Sequence, residues 1–393
     1  MKIAIVIWNL SISGGAQRQA LELAKCISKS GYEVKIYCVY LDSERCYPKI
    51  IKDLKVHSLY NKDFSIRRDL VHRFFYPLEI LFYLKEAHAL VKLMDKDFDI
   101  VNTHDSPAYL VGYLYKRKNG GFYIWSVNDL PGYLFKPLLR LFFYPLMGLI
   151  GRILGIKIIK TIDRIAVISK VVQRDLKQNT GIDSLIVGSG LDLSFFRMKE
   201  KKRSKCSEIN ILANGIFFPH RRFEDILLSL ALLRQKRINF CLDIIGAEDY
   251  DKKYSNKIRK LVEELRLEHN VVFWGVVSED ELVRKYQNAD VFVFPNFPQS
   301  WGLAVFEAMA CGTPVIVSRG SGASEILTDR VNALLVSPGK PEEIANSLEE
   351  IVNNKELRES LSMNGRKFVE ENVSWKLYGE KMLQIFNNVC KRD

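Results

Sequence analysis

The chain has 393 residues, of which 48% are hydrophobic and 26% are charged, and its formal net charge is +12. This composition is typical of a globular protein and excludes a fibrous or a disordered chain. The length exceeds what one hydrophobic core normally serves, so we expect two domains of roughly 200 residues each.

The cysteines and the charge distribution narrow the class further. The seven cysteines are scattered and form no C-x-x-C pair. This argues against disulfides and zinc and favours the reducing cytoplasm. Residues 1–200 carry 30 Lys and Arg against 19 Asp and Glu, whereas residues 201–393 carry 28 against 27. The first half should therefore face something anionic.

The first half alternates short β-branched runs with helical segments, which predicts a parallel sheet covered by helices. Its N-terminal run, MKIAIVIWNL, is too short in its apolar part for a signal peptide and is better interpreted as the first strand. The predicted strands are Lys2–Trp8, Glu33–Tyr40, Asp99–His104, Phe122–Val127 and Asp163–Ile168.

Two positions that follow strands of this half are candidate binding residues. Gly14 and Gly15 open a predicted helix, Gln17–Ser30, whose N-terminus would favour a phosphate or another oxyanion. A plain tight turn is the open alternative, because no G-x-G-x-x-G fingerprint is present. His104 ends a strand, where ligands bind in open α/β sheets. Its open alternative is a structural histidine.

Asp95 and Asp97 form a D-x-D pair, a spacing that binds metals in sugar transferases of another fold. Here the pair lies between a helix end and a strand start. We interpret it as a solvated turn and expect no metal.

Two apolar segments with basic margins, residues 67–84 and 133–160, stand out in the first half. Neither has the ~20 apolar residues of a spanning helix. Their aromatic and leucine side chains, together with Lys and Arg, predict interfacial helices on an anionic membrane, which places the protein on the inner face of the membrane. A pair of buried helices is the alternative. Nucleic-acid binding is disfavoured, because the basic residues alternate with apolar runs.

The second half predicts another parallel sheet. The polar segment Met198–Ser207 is the predicted linker, which gives domains 1–197 and 208–373, followed by a helix, 374–393, that could return to the first domain. The predicted strands are Glu208–Ala213, Phe240–Ile245, Val271–Trp274, Asp290–Pro295, Pro314–Val317 and Ala333–Val336.

Two segments of this half predict a site for a sugar nucleotide. In NFPQSWGLAVFEAMACGTPVIV, residues 296–317, a glycine-containing loop leads into a helix N-terminus that can bind phosphate. Glu307 lies on that otherwise apolar helix, where a ribose or sugar diol would satisfy it. In FFPHRRFED, Arg221 and Arg222 could bind a diphosphate, although a solvated basic loop is the alternative.

These phrases resemble glycosyltransferase family 4. The segment from Gln299 to Ile316 is similar to the family's EGFGLVVLEAMACGLPVI, and Gly14–Arg18 is similar to its GGAER loop. VGSGLDLSFF at Val187–Phe196 and GASEILTDRVNALL at Gly322–Leu335 also match, as does Ile168-Ser169. The chain departs from the family at Gln299, where the family carries its first Glu.

The resemblance implies a GT-B protein: α/β, with two Rossmann-like doubly wound domains facing across a cleft. It implies a retaining, metal-independent hexosyltransferase that needs no cofactor. The implied catalytic residues are His104, Arg222, Gln299 and Glu307. The implied donor-binding residues are Gly15, Arg221, Arg222, Gln299, Ser300, Trp301, Gly302, Leu303 and Glu307. The implied acceptor-binding residues are Gly14, Gly15, Asn128 and Asp129.

The expected function is therefore transfer of a sugar from a nucleoside-diphosphate sugar to a lipid-linked or polysaccharide-precursor acceptor at the cytoplasmic face of the membrane. The amide of Gln299 can bind hydroxyls but supplies no anionic stabilisation. One alternative is therefore a catalytically inactive GT-B scaffold or regulatory protein on the membrane. A nucleotide-sugar epimerase is a further alternative, although such an enzyme has no need for an apolar first domain.

Overall fold

The computed structural model describes residues 1–61, 76–130, 153–199 and 208–391. The chain forms two compact units, Met1–Gly190 together with Trp375–Asp393, and Leu191–Ser374. The boundary expected at residue 197 is therefore seven residues too late. The Leu191 N–H donates to the Val373 carbonyl at 3.2 Å, and this pairing joins the segment to the second unit. Residues 200–207 of the predicted linker lie outside the described residues.

The first unit contains a seven-stranded parallel sheet in the order β3-β2-β1-β4-β5-β6-β7. Its strands are β1 Lys2–Leu10, β2 Glu33–Leu41, β3 Val56–Tyr60, β4 Ile100–His104, β5 Phe122–Val127, β6 Arg164–Val167 and β7 Leu185–Ile186. The sequence did not predict β3 and β7. Both are edge strands with partly exposed side chains, so neither has the continuous apolar run of the central strands.

Helices cover this sheet because each carries an apolar face. They are α1 Gly15–Lys29, α2 Pro48–Ile51, α3 Tyr76–Leu93, α4 Tyr109–Asn119 and α5 Lys170–Thr180. On α1, the buried residues recur at helical spacing and include Leu21, Ala24 and Ile27. Ser169 caps the N-terminus of α5, because its side chain accepts a hydrogen bond from the Val172 N–H at 3.3 Å.

The second unit contains a six-stranded parallel sheet in the order β10-β9-β8-β11-β12-β13. Its strands are β8 Ile209–Asn214, β9 Phe240–Ile245, β10 Val271–Gly275, β11 Val291–Phe294, β12 Val315–Ser318 and β13 Leu334–Val336. Its helices are α6 Phe223–Gln235, α7 Lys252–Glu264, α8 Glu279–Asn288, α9 Leu303–Ala310, α10 Pro341–Asn353 and α11 Lys355–Asn372. Each predicted strand of this half corresponds to an observed one within two residues at either end.

The last helix, α12 Trp375–Cys390, packs in the core of the first unit beside α1. A Cβ on Gly379 would lie 2.6 Å from the Cβ of Cys26, so the glycine permits the close approach of these two helices. The apolar face that the sequence indicates for residues 374–389 is thus buried against the first sheet.

Both sheets reverse their strand order once, between β1 and β4 in the first unit and between β8 and β11 in the second. At such a switch point the connections after the two strands diverge to opposite sides and leave a crevice at their carboxyl ends. The ends of these four strands are therefore where ligand-binding residues are expected.

No helix in the described part of the chain is long and apolar enough to cross a membrane. Residues 67–75 and 133–152, which hold most of the two predicted interfacial segments, lie outside the described residues.

Candidate active site

The loop after β8 places an arginine at the switch point of the second unit. Gly215, with φ +146°, follows the strand, and a Cβ there would lie 2.9 Å from Nε of Arg221. A Cβ on Gly246, after β9, would lie 2.0 Å from the Gly215 carbonyl oxygen. Gly215 therefore leaves the space that the Arg221 side chain occupies, and Gly246 permits the close approach of the Gly215 backbone.

Gln299 meets this arginine from the loop after β11. Its Oε1 accepts a 3.3 Å hydrogen bond from Nη1 of Arg221 and a longer one, 3.4 Å, from Nδ2 of Asn296. The structure thus brings together Arg221 and Gln299, which stand 78 residues apart in the chain.

Arg222 faces elsewhere. Its Nε and Nη2 donate to the two carboxylate oxygens of Asp225 at 2.6 and 3.0 Å, and the Gly339 N–H donates to the same carboxylate at 3.2 Å. The bidentate pair raises the pKa of Arg222. Arg222 thus anchors the start of α6 in this conformation, contrary to the expectation that it would join Arg221 in binding a diphosphate.

The helix α9 begins beside Arg221 and Gln299. Gly302, with φ +112°, precedes it, and a Cβ there would contact Phe294 at 3.0 Å. The Val305 N–H donates to the Gly302 carbonyl at 3.0 Å, whereas the N–H groups of Leu303 and Ala304 precede any acceptor that the helix supplies and form an electropositive end. Ser300 packs its carbonyl against Gly322, where a Cβ would lie only 2.1 Å from that oxygen. The loop before α9 is therefore held in one shape.

Trp301 does not present its side chain at this site. It is 7% exposed, and its indole packs on Phe306 with ring centroids 5.1 Å apart. The expected donor contact at this position is thus limited to the backbone.

Glu307 lies in the middle of α9 and is half-buried. Its Oε2 accepts a 2.9 Å hydrogen bond from the hydroxyl of Tyr286 on α8. That hydroxyl accepts a 2.6 Å hydrogen bond from Nδ2 of Asn214, the last residue of β8. Glu307 also affects a neighbouring thiol: burial, and then the charge of Glu307, raises the pKa of Cys311 to about 12. Sequence reasoning missed Asn214 and Tyr286, because both occupy ordinary positions of a strand end and a helix.

In the first unit, Gly14 and Gly15 lie at the carboxyl end of β1. Gly14 precedes α1 with an extended backbone, and its carbonyl accepts a 3.2 Å hydrogen bond from the hydroxyl of Tyr47. A Cβ on Gly14 would lie 2.5 Å from Oε1 of Gln17, whereas Gly15 faces open space. The two glycines thus leave the N-terminus of α1 approachable at Gly15.

His104 is fully buried, which corrects the expectation that it lines an accessible site. Its Nε2 lies 3.0 Å from Oδ1 of Asn102, and its Nδ1 has no hydrogen-bond partner among the described residues. Burial lowers its pKa from 6.5 to about 3, so the imidazole is neutral at physiological pH. The catalytic role expected for His104 stays a prediction.

Asp105 is a residue that sequence reasoning missed. It follows β4 with φ +57°, and Oδ1 accepts the backbone N–H of Asn128 at 3.0 Å. Burial, with the charge of Asp129 adding to it, raises the pKa of Asp105 to about 6, despite the opposing hydrogen bond from Asn128. Asp105 thus ties the predicted acceptor residues Asn128 and Asp129 to the end of β4. An Asp directly after a buried strand is the signal that could have identified it.

The D-x-D pair lies at the opposite, amino-terminal end of the first sheet. Lys2 contacts Asp97 at 2.7 Å and Asp95 at 3.1 Å, and Lys35 contacts Asp95 at 2.6 Å. Within the described ranges, no group of three or more His, Cys, Asp or Glu side chains is arranged to hold a metal ion.

Comparison with known proteins gives two adjoining family matches. A model described as Glycosyltransferase Family 4 matches residues 13–195, and one described as Glycosyl transferases group 1 matches residues 194–368. The first corresponds to the unit that contains Gly14 and Gly15. The second contains Arg221, Gln299 and Glu307.

Individual relatives agree with these models. An uncharacterized glycosyltransferase of Methanocaldococcus jannaschii is 25% identical over 417 residues, covering 98% of both chains. The capsular polysaccharide biosynthesis glycosyltransferase CapM of Staphylococcus aureus is 26% identical over 230 residues, covering 56% of this chain and 59% of CapM. The crystal structure of Anabaena HepE in complex with UDP and glucose has a TM-score of 0.77 at 15% identity and covers 98% of this chain and 99% of HepE. The chain therefore belongs to the family 4-like glycosyltransferases and has the GT-B fold.

Proposed function

We propose that the protein is a retaining glycosyltransferase that moves a hexose from a nucleoside-diphosphate sugar to a lipid-linked or polysaccharide-precursor acceptor at the cytoplasmic face of the membrane. One observation carries the proposal. At the switch point of the second unit, the guanidinium of Arg221 donates to the amide of Gln299, and the helix that begins four residues later carries the half-buried carboxylate of Glu307. These are the groups that a diphosphate, a sugar and a ribose require.

The diphosphate would bind between Arg221 and the N–H groups at the start of α9. A guanidinium donates two parallel hydrogen bonds to phosphate, and the helix end adds a positive dipole. These groups would stabilise the charge that develops as the diphosphate leaves, so the proposed reaction needs no divalent cation.

Glu307 would accept hydrogen bonds from the ribose hydroxyls, and Gln299 would bind a hydroxyl of the sugar. The neutral amide implies that the reaction does not depend on an anion at this point. UDP is the first nucleotide to test, since Anabaena HepE, which shares the fold, has been crystallised with UDP and with UDP-glucose.

The acceptor would bind to the first unit at Gly14, Gly15, Asn128 and Asp129. In a front-face retaining reaction the leaving phosphate oxygen takes the proton of the acceptor hydroxyl while the new glycosidic bond forms. No protein base is then required. This suits a unit whose histidine at the end of β4 is buried and neutral.

Membrane attachment through residues 67–84 and 133–160 is part of the proposal. The basic charge of the first half supports it, as do the exposed apolar side chains of Ile12, Ile153 and Leu154 in the first unit. The similarity to CapM, a capsular polysaccharide biosynthesis enzyme, supports the class of acceptor. Flotation with anionic liposomes tests this part: we expect binding at low salt that weakens at high salt. Protein that stays in solution at low salt would contradict it.

The central experiment is thermal unfolding with UDP-, GDP-, ADP- and dTDP-sugars, without added metal. A ligand at 100 times its Kd stabilises the folded protein by about 2.7 kcal/mol. We expect one nucleotide to raise the Tm of the wild type, and the Glu307→Ala variant to lose most of that rise. Glu359→Ala is the control: it removes an exposed helical glutamate and should keep the full rise in Tm. No rise with any nucleotide in the wild type would contradict the donor site.

Gln299 favours a second candidate, a catalytically inactive GT-B protein that acts as a membrane scaffold. It replaces the family's anionic side chain with a neutral one. A measurement of nucleoside diphosphate released from a bound donor distinguishes the enzyme from the scaffold. A scaffold would bind the nucleotide and release no nucleoside diphosphate, with or without an acceptor extract.

A further inference from the structure

Tyr286 connects the end of β8 with the helix that carries Glu307. Nδ2 of Asn214 donates to its hydroxyl oxygen at 2.6 Å, and the hydroxyl donates to Oε2 of Glu307 at 2.9 Å. The proposed donor site does not otherwise use Tyr286 or Asn214.

The direction of the two hydrogen bonds follows from the chemistry of the groups. An amide nitrogen can only donate, so the hydroxyl oxygen of Tyr286 accepts from Asn214 and its single proton is left for Glu307. Burial and the neighbouring charge of Glu307 raise the pKa of Tyr286 well above 10, so the hydroxyl keeps that proton throughout the physiological range.

The aromatic ring is held firmly. Tyr286 is fully buried, and it packs edge-on against Phe292, with ring centroids 5.5 Å apart. Its backbone carbonyl accepts a 2.5 Å hydrogen bond from Oγ1 of Thr313. A hydroxyl on such a ring is a fixed donor, whereas the side chain of Glu307 has three rotatable bonds and is only half-buried.

We propose that Tyr286 is a positioning residue that, with Asn214, orients the Glu307 carboxylate toward the ribose and so sets a preference for ribonucleotides over deoxyribonucleotides. The inference rests on the proposed function, because it takes the role of Glu307 from there. A carboxylate that is held in one orientation loses little conformational freedom when the ribose binds, and its hydrogen bonds to the hydroxyls are correspondingly more favourable.

The test measures ribose discrimination. The dissociation constants of UDP, 2′-deoxy-UDP and 3′-deoxy-UDP are compared by calorimetry for the wild type and for Tyr286→Phe, with the GDP or ADP series substituted if that nucleotide gives the larger thermal shift. We expect the wild type to prefer UDP over one deoxy analogue by about tenfold, the effect of one charge-assisted hydrogen bond. In Tyr286→Phe the preference should fall to about threefold or less, while binding of the deoxy analogue changes little.

Two further variants separate positioning from a general loss of structure. Tyr254→Phe is the matched control, because buried Tyr254 donates a 2.6 Å hydrogen bond to Oε2 of Glu224 in the same unit. This variant should keep the full preference for UDP over the deoxy analogue. Asn214→Ala removes the donor that fixes the Tyr286 hydroxyl and should lower the preference even if Tyr286→Phe does not fold.

The outcomes are distinct. A wild type that discriminates and a Tyr286→Phe variant that discriminates equally would overturn the positioning role and leave the proposed donor site intact. The wild type could instead bind UDP and both deoxy analogues equally, with Glu307→Ala binding UDP as tightly as the wild type does. That result would overturn the ribose role of Glu307 and the present inference with it. Equal weakening of all three nucleotides in Tyr286→Phe would assign Tyr286 a structural role only and would also overturn the inference.

Discussion

Nη1 of Arg221 donates a hydrogen bond to Oε1 of Gln299 at 3.3 Å. Gln299, where the sequence resemblance implies a Glu, therefore contacts the proposed diphosphate-binding arginine. A carboxylate here would form a charge-assisted pair with Arg221, whereas the amide leaves more of the positive charge of the guanidinium for a phosphate.

The first prediction follows from this contact. In Gln299→Glu the new carboxylate should compete with the diphosphate for Arg221, and we expect binding of the preferred nucleoside diphosphate to weaken by about three- to tenfold, which is roughly 0.6–1.4 kcal/mol. Calorimetry measures it. Gln235→Glu, on an exposed position of α6, adds the same charge away from the site and should bind as the wild type does. Tighter binding by Gln299→Glu would contradict the competition.

The second prediction concerns the loop before α9. A Cβ on Gly322 would lie 2.1 Å from the backbone oxygen of Ser300, so Gly322→Ala should displace this loop. We expect a lower Tm and at least a tenfold loss of nucleotide affinity, on the order of 1.4 kcal/mol. Gly365→Ala is the matched control: its Cβ would have only ordinary contacts at 3.5 Å, and alanine within helix α11 should stabilise by about 0.5–1 kcal/mol. Unchanged binding in Gly322→Ala would place the phosphate elsewhere.

The third prediction concerns the carboxyl group of Asp105. Its pKa rises from 3.8 to about 6 in the folded protein, so protonation favours folding. The resulting stability is fully present below pH 3.8 and is lost as pH rises through 6. Relative to the wild type, Asp105→Asn should therefore gain about 1 kcal/mol between pH 5 and pH 7.5. Thermal unfolding at both pH values measures this, with Asp53→Asn, at an exposed position, as the control. An equal effect of Asp105→Asn on the free energy of unfolding at both pH values would contradict the raised pKa of Asp105.

The fourth prediction concerns His104, whose contribution to stability falls, rather than rises, as the pH is lowered. The pKa of buried His104 falls from 6.5 to about 3, so only the unfolded chain takes up a proton between these values. Acidification from pH 7.5 to pH 5 should therefore cost about 2 kcal/mol through this group, and His104→Gln should remove that cost. His88→Gln, on an exposed position of α3, should leave the pH dependence of Tm unchanged. If His104→Gln also leaves the pH dependence of Tm unchanged, the pKa of His104 is not lowered by burial.

Much of the fold could be predicted from local pattern. Buried parallel strands need continuous β-branched runs, so the central strands β1, β4, β8 and β11 are evident in the sequence. The edge strands β3 and β7 are not, because pairing on one side relaxes the need for an apolar run. The loop and helix around Glu307 were predictable because a glycine before an apolar helix with one acid is a short-range signal.

The sequence by itself thus determined the α/β class, the two sheets, the helix N-terminus before Glu307 and the placement of Arg221 and Gln299 near strand ends. Only the tertiary structure decided which of these groups meet. Arg222 is turned to Asp225 and Gly339, His104 is buried, Asp105 holds Asn128, and Tyr286 bridges Asn214 to Glu307. Helical and strand patterns arise from neighbours a few residues apart. The partners of most of these polar side chains lie 21 to 114 positions away, so the packing of the sheets and helices selects them.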